Sequence, residues 1–226
     1  KTILKILRGE NNHSISDNIS MSAEARESLN TKLNYTVDFR VLSSNNFGVP
    51  QKRERLYIIG FNKKYFSGGK IIREIYEIFN NLEKRRSETC LGSVLEENIK
   101  VPEKFTISDK LLEGHERRKR EHKLKGNGFG YSVFNAKSNY CNTISARYYK
   151  DGSEVLISRG KNKNPRKLTE RECARLQGFP DSFKIPVSTV QAYKQFGNSV
   201  PVNVVEAISS EMINYLELLN KKSNVA

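Results

Sequence analysis

The sequence predicts an α/β chain with a second, smaller domain of mixed structure. Two apolar, β-prone segments occur early, at residues 35–42 and 56–61. Helical patterning returns at residues 168–219, which end in a long amphipathic run from Val200 to Leu219. Between about residues 70 and 160 the chain changes to a polar helix, short segments broken by Gly and Pro, and a cluster of charge. This change in composition indicates the second domain.

The net charge predicts a polyanionic partner. The 226 residues include 39 Lys and Arg against 25 Asp and Glu, a formal charge of +14. Hydrophobic residues make up 37% and aromatic residues 9%, which is lean but well above what a disordered polybasic tail carries. The excess charge therefore belongs to a folded protein that binds a polyanion.

Cysteine usage favours a reducing, cytoplasmic location. Cys90, Cys141 and Cys173 are an odd number and form no Cys-x-x-Cys pair, which disfavours a disulfide scaffold, a zinc ribbon and a two-cysteine redox motif. The sequence has no apolar run of the roughly 20 residues that a membrane helix requires, and its start lacks a signal-peptide pattern. Because the chain begins with Lys1, we expect either processing or a downstream piece of a longer protein.

The first elements along the chain are a helix and two strands. A helical pattern runs from Ala23 to Leu33, followed by alternating residues from Tyr35 to Leu42 and an apolar run from Leu56 to Phe61. We expect the two strands to be adjacent. The loop between them, Ser43 to Arg55, is charged and rich in Asn, Gly and Pro, so we place it at a rim of the sheet.

Two arginines in this loop are candidate ligand-binding groups. Arg53 and Arg55 are one residue apart, so on an extended strand both side chains would point to the same side. Two guanidinium groups there could grip a phosphate or the polar edge of a base. A solvated rim is the alternative, since charged strand ends are common.

The middle region combines a charge cluster with a glycine cluster. Residues 71–86 have the pattern of a polar helix, and residues 116–125 carry six Lys or Arg against two Glu. The glycine-rich run 126–130 superficially matches a nucleotide-binding loop, but residues 131–134 are strand-like rather than helical. We therefore interpret the glycine cluster as a flexible loop.

Two later segments contain helix starts that suit polar ligands. In the segment 166–183, Thr169 is a candidate N-cap, and Arg171 and Arg175 are one helical turn apart before a Gly-Phe-Pro-Asp turn. The segment 191–200 places a Gly-Asn-Ser turn ahead of a helix. Backbone N–H groups at a helix start can bind anions, although each motif alone is more often structural.

Together, these segments resemble a known family. NFGVPQKRERLYIIGF, RKLTERECARLQGFPDSF and QAYKQFGNSVPVNVVEAI look like the last three conserved blocks of the cytosine-5 DNA methyltransferases. Between the first two, residues 143–146 (Thr-Ile-Ser-Ala) are similar to a Thr-Leu-Ser-Ala-like element in the target-recognition region of bacterial restriction-modification members. The resemblance extends from about Tyr35 to Leu218.

The resemblance implies a fold and a division into domains. The chain would be the C-terminal part of a Rossmann-like, S-adenosylmethionine-dependent methyltransferase domain plus a small mixed target-recognition domain. Residues 1–72 would end the catalytic domain, 73–187 would form the target-recognition domain, and 188–226 would close the catalytic domain.

The resemblance also implies roles for individual residues. Arg55 would contact the exocyclic oxygen of a cytosine flipped out of the duplex, with Arg53 and Gln51 shaping the pocket. Four residues would lie at the S-adenosylmethionine site: Phe179, Asn198, Ser199 and Val200. Seven would meet double-stranded DNA, where base edges are distinguishable in the major groove: Thr143, Ser145, Arg147, Arg117, Arg118, Lys119 and Lys123.

Three family features are missing from the sequence. It has no cysteine after a proline, which would be the family's nucleophile, no Glu-Asn-Val element and no Phe-x-Gly-x-Gly cofactor loop. Cys173 corresponds to a structural cysteine of the family, and Cys90 and Cys141 are expected to be ordinary residues.

These departures lead to a specific expectation. The chain would be a fragment, or a natural second subunit that pairs with an N-terminal half carrying the Pro-Cys loop and the Glu-Asn-Val element. Alone it would bind DNA without methylating it. A non-catalytic DNA-binding module with a methyltransferase-derived fold is the alternative. A basic RNA-binding protein fits the charge but does not explain the ordered blocks.

Overall fold

The computed structural model describes residues 2–10, 19–28, 33–66, 69–128 and 130–223. The chain divides into two compact units, one formed by residues 1–42, 55–84 and 208–226 and the other by residues 43–54 and 85–207. The helices are α1 (Thr2–Arg8), α2 (Ala23–Ser28), α3 (Lys70–Glu83), α4 (Asp109–Leu124), α5 (Glu170–Leu176), α6 (Thr189–Asn198) and α7 (Val202–Ser223). The strands are β1 (Tyr35–Ser43), β2 (Glu54–Asn62), β3 (Val133–Phe134) and β4 (Leu156–Ile157), and short 3-10 turns occupy Ser44–Phe47, Leu91–Ser93 and Glu103–Phe105.

The first unit is built on the β1–β2 pair. The backbone N–H of Ser44 donates to Arg53 (3.1 Å) and that of Lys63 donates to Asn34 (2.8 Å), so the strands run antiparallel. The predicted pair of adjacent strands joined by a loop is thus confirmed. α3 buries an apolar face through Ile71, Ile75, Ile78, Phe79 and Leu82.

One face of this sheet is covered, and the other is buried at Val37 but exposed towards the end of β1. On the covered face, the Phe61 ring meets Tyr215 of α7 at 5.6 Å, and the Arg40 guanidinium lies 5.4 Å from the ring of Phe79 in α3. The exposed face carries three large apolar side chains: Phe39 (40% exposed), Val41 (58%) and Leu56 (55%). The antiparallel register places Val41 directly opposite Leu56, so these side chains form one contiguous apolar surface.

The second unit has the larger core. Buried residues from Leu91 to Phe196 form one cluster, which includes Ile144, Tyr148 and Leu176. β3 and β4 add a two-residue parallel pair, in which Val133 lies beside Leu156 and Phe134 beside Ile157.

A buried ion pair lies in this second unit. The Arg166 guanidinium binds both carboxylate oxygens of Glu172 at 2.7 and 2.8 Å, and both side chains are fully buried. Glu172 also accepts from the backbone of Thr169 at 2.8 Å, while the Thr169 hydroxyl accepts from the Glu172 backbone at 3.1 Å. The predicted N-cap at Thr169 is therefore confirmed as a full capping box.

Three local expectations need adjustment. The strand expected at residues 131–134 is reduced to Val133–Phe134. The predicted Gly-Asn-Ser turn is wrong, because Gly197 and Asn198 are the last two residues of α6 and only Ser199 lies beyond it. The charge cluster 116–125 falls almost entirely within α4, whose N-cap is Ser108. The positive charge of this cluster is thus carried by a helix.

Some expectations fall partly outside the described residues. The helix expected from Ala23 to Leu33 is seen as α2, and residues 29–32 are not described. In the glycine cluster, Phe129 is likewise outside the described part. The division into a catalytic domain and a target-recognition domain, with boundaries after residues 72 and 187, stays a prediction. Among the described helices, none is both long and apolar enough to span a bilayer.

Candidate functional site

Gln51 joins three segments of the second unit. Its side chain is fully buried, its Nε2 donates to the carbonyl of Leu176 at 3.0 Å, and its Oε1 accepts from the backbone of Ile144 at 2.9 Å. The backbone around it also pairs with Cys141, which donates to Pro50 and accepts from Lys52, both at 2.9 Å. The loop before β2 is therefore fixed to the segment 141–144 and to the end of α5.

Arg53 links two of the predicted site segments. Its side chain is buried, with Nη1 donating to the carbonyl of Ile144 at 2.9 Å. Its Nη2 donates to the carbonyls of Gly197 (2.9 Å) and Ser199 (2.8 Å). Hydrogen bonds from a charged donor are stronger than neutral ones, so this guanidinium clamps the end of α6 to the segment around Ile144.

The proposed grip by two guanidinium groups is wrong. Arg53 is only 3% exposed and its guanidinium is bound to backbone carbonyls, whereas Arg55 is exposed on β2. The alternation expected of an extended strand does not apply, because β2 begins only at Glu54. Arg53 is thus placed to hold backbone, and Arg55 is the residue accessible to a ligand.

Gly197 allows the close approach that Arg53 clamps. A Cβ at this position would lie 2.2 Å from the carbonyl oxygen of Ser145 and 2.5 Å from the backbone nitrogen of Ala146. Only glycine fits such a contact. The end of α6 therefore packs directly against the Thr-Ile-Ser-Ala element.

The four predicted cofactor residues lie around the end of α6 and the turn after α5. Asn198 and Val200 are exposed, and the Ser199 hydroxyl donates to the carbonyl of Phe196 at 2.8 Å. The partly buried Phe179 packs against Phe196, with ring centroids 5.6 Å apart. These residues offer an exposed amide, an exposed apolar side chain and an aromatic ring, which suit one wall of a nucleoside-like site.

Helix α4 presents most of the predicted DNA-binding cations. Arg117, Lys119 and Lys123 are exposed, and the Lys119 ammonium lies 5.0 Å from the ring centroid of Tyr131. Arg118 differs, because its Nη2 donates to Asp151 Oδ2 at 3.0 Å and contacts His115 Nδ1 at 2.8 Å. Arg118 is thus paired within the chain, although its side chain stays partly exposed.

His115 anchors α4 to the rest of the second unit. Its ring is stacked on Tyr131 at 5.5 Å, and its Nε2 lies 3.3 Å from the carbonyl oxygen of Asp151. Burial is the main reason that the pKa of His115 is lowered below its ordinary value. A neutral ring fits this position, because Nδ1 then accepts from Arg118.

Two open clefts lie beside α4 and share a wall formed by Gly130, Tyr131 and Glu154. The first cleft, of about 430 Å³, includes Ser145, Arg147 and Lys150. The second, of about 640 Å³, includes Lys119, Lys123, Asn142 and Thr143. Six of the seven predicted DNA-binding residues therefore line these clefts. Arg118, Ser145 and Arg147 line the first, and Lys119, Lys123 and Thr143 line the second. Arg117 is not among the lining residues. We call the two clefts together the recognition face.

Hydrogen bonds fix the Thr-Ile-Ser-Ala element within this face. The Thr143 hydroxyl donates to the carbonyl of Lys52 at 2.7 Å, and the Ser145 hydroxyl donates to Glu154 Oε1 at 2.6 Å. The backbone of Arg147 in turn donates to the Ser145 hydroxyl at 3.1 Å. These three hydrogen bonds restrain the element within the recognition face.

Two of the three cysteines are poorly suited to nucleophilic attack. Cys141 and Cys173 are fully buried, and burial raises the pKa of Cys141 to about 12 and that of Cys173 well above its ordinary value. Cys90 is exposed, and its thiol donates to the carbonyl of Ala136 at 2.9 Å.

Sequence reasoning missed three contributors to the site. His115 and Glu154 had no signal in the sequence, because neither belongs to a motif that specifies its partner, which is Asp151 for His115 and Ser145 for Glu154. Glu172 did have one, since the Thr-x-x-Glu spacing from Thr169 is that of a capping box.

The structure is similar to solved structures of methyltransferases. The structure resembles the Dnmt2 methyltransferase of S. pombe with a TM-score of 0.63 at 21% identity, covering 88% of this chain and 63% of that one. It also resembles the DNMT2 of Spodoptera frugiperda with a TM-score of 0.58 at 19% identity, covering 85% and 62%. The fold is therefore the mixed α/β fold of part of a methyltransferase domain.

The family follows from sequence. The model of the C-5 cytosine-specific DNA methylase family matches residues 10–214. The chain belongs to this family.

The curated relatives that the chain matches include Type II methyltransferases. The Type II methyltransferase M.DsaV of Dactylococcopsis salina is 51% identical over 191 residues, which are 84% of this chain and 51% of the relative. M1.ScrFI of Lactococcus lactis subsp. cremoris is 52% identical over 195 residues, 85% of this chain and 48% of the relative. The chain thus spans about half the length of these relatives.

Proposed function

We propose that this chain is the target-recognition part of a DNA (cytosine-5-)-methyltransferase of a restriction-modification system, acting in the cytoplasm. The enzyme transfers a methyl group to carbon 5 of a flipped cytosine in a specific DNA site. The observation that carries the proposal is the clamp by Arg53, which joins the recognition element at Ile144 to the backbone of Gly197 and Ser199. One rigid support thereby positions groups for DNA and for the cofactor.

In this proposal, Arg55 contacts the exocyclic oxygen of the flipped base. Its exposure on β2 leaves it accessible to a ligand. Gln51 and Arg53 act indirectly, by holding the surrounding backbone, because both are buried and bind backbone groups rather than solvent. Unpairing a base costs a few kcal/mol, which donors held at the base's polar edge help to offset.

The cofactor is S-adenosylmethionine, which supplies the methyl group when bound. Asn198, Ser199, Val200 and Phe179 would form part of its site. The Arg53 clamp on Gly197 and Ser199 fixes the backbone between the exposed Asn198 and Val200 side chains. Their positions therefore depend on α6 being held in place.

Double-stranded DNA would bind along the recognition face. Arg117, Lys119 and Lys123 of α4 would neutralise phosphates, and Thr143, Ser145 and Arg147 would face the base edges. The formal charge of +14 supports a strong electrostatic contribution. Arg118 would support α4 through its contact with Asp151.

An N-terminal methyltransferase half would complete the enzyme, either as a preceding part of the same protein or as a partner subunit. The 226 residues contain neither a Pro-Cys nor a Glu-Asn-Val element, and the two most buried cysteines have raised pKa values. The apolar surface of Phe39, Val41 and Leu56 supports the same idea, because monomeric proteins rarely expose contiguous apolar patches of large side chains. An N-terminal methyltransferase half carrying both elements would cover this sheet face.

The salt dependence of DNA binding tests the proposed role of the recognition face. A double variant, Lys119→Gln with Lys123→Gln, should bind duplex DNA more weakly at low salt and lower the slope of log K against log salt by about 1.8. The reason is that two phosphate contacts are lost. Fluorescence anisotropy over a salt series measures both quantities.

The matched control changes two exposed lysines elsewhere, Lys63→Gln with Lys64→Gln, and removes the same charge. It should leave the slope nearly unchanged. Equal slopes for the two double variants, or no DNA binding by the unaltered chain, would contradict the proposed function.

A further inference from the structure

An acidic side chain lies at the centre of the basic recognition face. Glu154 is in the wall shared by the two clefts, whose other ionisable lining groups include Lys119, Lys123, Arg147 and Lys150. Asp151 also lines the first cleft, but its carboxylate is paired with Arg118. Glu154 is therefore the carboxylate of this face that no cation neutralises among the described contacts.

Glu154 is held from two sides. Its Oε1 accepts from the Ser145 hydroxyl at 2.6 Å, and its backbone carbonyl accepts from Asn142 Nδ2 at 3.2 Å. Asn142 Nδ2 also donates to the Ser132 hydroxyl at 3.0 Å. Within the described part of the chain Oε2 has no hydrogen-bond donor, so one lone-pair face of an oriented carboxylate remains available in the clefts.

A carboxylate at a DNA-binding surface is unfavourable for phosphate binding. It repels the backbone and lowers non-specific affinity, so a merely electrostatic surface would not contain it. A carboxylate can contribute to DNA recognition where a base offers a hydrogen-bond donor. In the major groove the donors are the exocyclic amino groups of cytosine and adenine, and Glu or Asp accepting from cytosine N4 is a recurrent pairing.

We propose that Glu154 is a specificity-determining residue that accepts a hydrogen bond from the exocyclic amino group of a base in the major groove. This inference rests on the proposed function. Ser145 holds one carboxylate oxygen and the base amino group binds the other. Because the backbone of Ser145 also packs against Gly197, the position of the Glu154 carboxylate is fixed relative to the end of α6.

A purely structural role for Glu154 makes a different prediction. If Glu154 only supports Ser145, its replacement should loosen the recognition element and weaken binding to all DNA sequences together. If Glu154 reads a base, removing its charge should leave non-specific affinity equal or higher while sequence preference is lost. The two roles therefore differ in the sign of the change in non-specific affinity.

The experiment selects bound duplexes from a random-sequence pool and then measures affinity for the selected and for unrelated duplexes. The variant Glu154→Gln keeps an oxygen that can accept from Ser145. We expect it to lose about 5- to 150-fold in preference at one base position, with unchanged or higher affinity for unrelated duplexes. The shorter Glu154→Asp keeps the charge and should lose preference without the gain in non-specific affinity.

Glu116→Gln is the matched control, since Glu116 is an exposed carboxylate on α4. It makes the same change of charge and should leave the preference unaltered. Three results would overturn the inference: an unaltered preference in both Glu154 variants, a parallel loss of specific and non-specific affinity, or sequence-independent binding by the unaltered chain. Absence of any DNA binding by the unaltered chain would instead overturn the proposed function itself.

Discussion

At the scale of single residues, Arg53 has the largest structural consequence. Its guanidinium satisfies three backbone carbonyls, those of Ile144 and Gly197 in buried contacts and that of Ser199 in a partly buried one. A buried acceptor that loses its donor costs about 1–3 kcal/mol. The side chain therefore contributes to stability as well as to the placement of site segments.

Arg53→Lys should lower the free energy of unfolding by about 2–3 kcal/mol, because an ammonium cannot reach all three carbonyls in the geometry of the planar guanidinium. Urea denaturation followed by circular dichroism measures this change. Arg171→Lys is a matched control, since Arg171 also bonds two carbonyls, those of Pro180 and Phe183, but in accessible positions. Its expected effect is about 0.5 kcal/mol or less, and equal losses in the two variants would contradict the assigned role of Arg53.

The three cysteines should differ sharply in reactivity. Cys90 is exposed, while Cys141 and Cys173 are buried with raised pKa values. Because the thiolate is the reactive form, a thiol reagent should modify Cys90 alone in the folded chain and all three cysteines in denaturant. Cys90→Ser should abolish the reaction of the folded chain. Rapid modification of Cys141 or Cys173 under native conditions would refute the assignment of both as structural residues.

At the scale of elements, the contact between α6 and the Thr-Ile-Ser-Ala element determines the site. Gly197→Ala should destabilise the protein by about 1–3 kcal/mol, because the added Cβ would lie 2.2 Å from the Ser145 carbonyl oxygen. Thermal and urea unfolding measure the loss.

Gly114→Ala provides the opposite expectation. Gly114 lies inside α4 and has nothing within 4 Å of an added Cβ, so alanine should stabilise the protein by about 0.5–1 kcal/mol. If both substitutions changed stability in the same direction, the close packing at Gly197 would be contradicted.

Elements with local signals were the ones that the sequence predicted well. Alternation and terminating polar residues located β1 and β2, and the Thr169 N-cap located the start of α5. Gly197 was misplaced because Gly-Asn-Ser is locally typical of a turn, whereas packing against Ser145 keeps the glycine in the helix. Local sequence cannot reveal such a contact.

The same reasoning explains what could be predicted of the site. The blocks containing Gln51, Arg53 and Gly197 were recognisable in the sequence, but their hydrogen bonds were not. Arg53 binds carbonyls 91, 144 and 146 residues away. The choice of Arg55 rather than Arg53 as the accessible arginine likewise depends on burial, which their one-residue spacing does not determine.

At the scale of the whole molecule, two surfaces have opposite character. The second unit carries the basic recognition face, while the first exposes the apolar sheet face of Phe39, Val41 and Leu56. A basic face suits DNA, and an exposed apolar sheet face suits another polypeptide. Both surfaces fit the proposal that the chain recognises DNA and is completed by an N-terminal methyltransferase half.

The most direct test of this account measures methyl transfer from labelled S-adenosylmethionine to cytosine-containing duplex DNA. The chain is assayed alone and after mixing with an N-terminal methyltransferase half that carries the Pro-Cys loop and the Glu-Asn-Val element. We expect transfer only in the mixture, and its loss when Arg55→Ala is introduced into this chain. Transfer by the chain alone, or no transfer in the mixture despite DNA binding by this chain, would contradict the account.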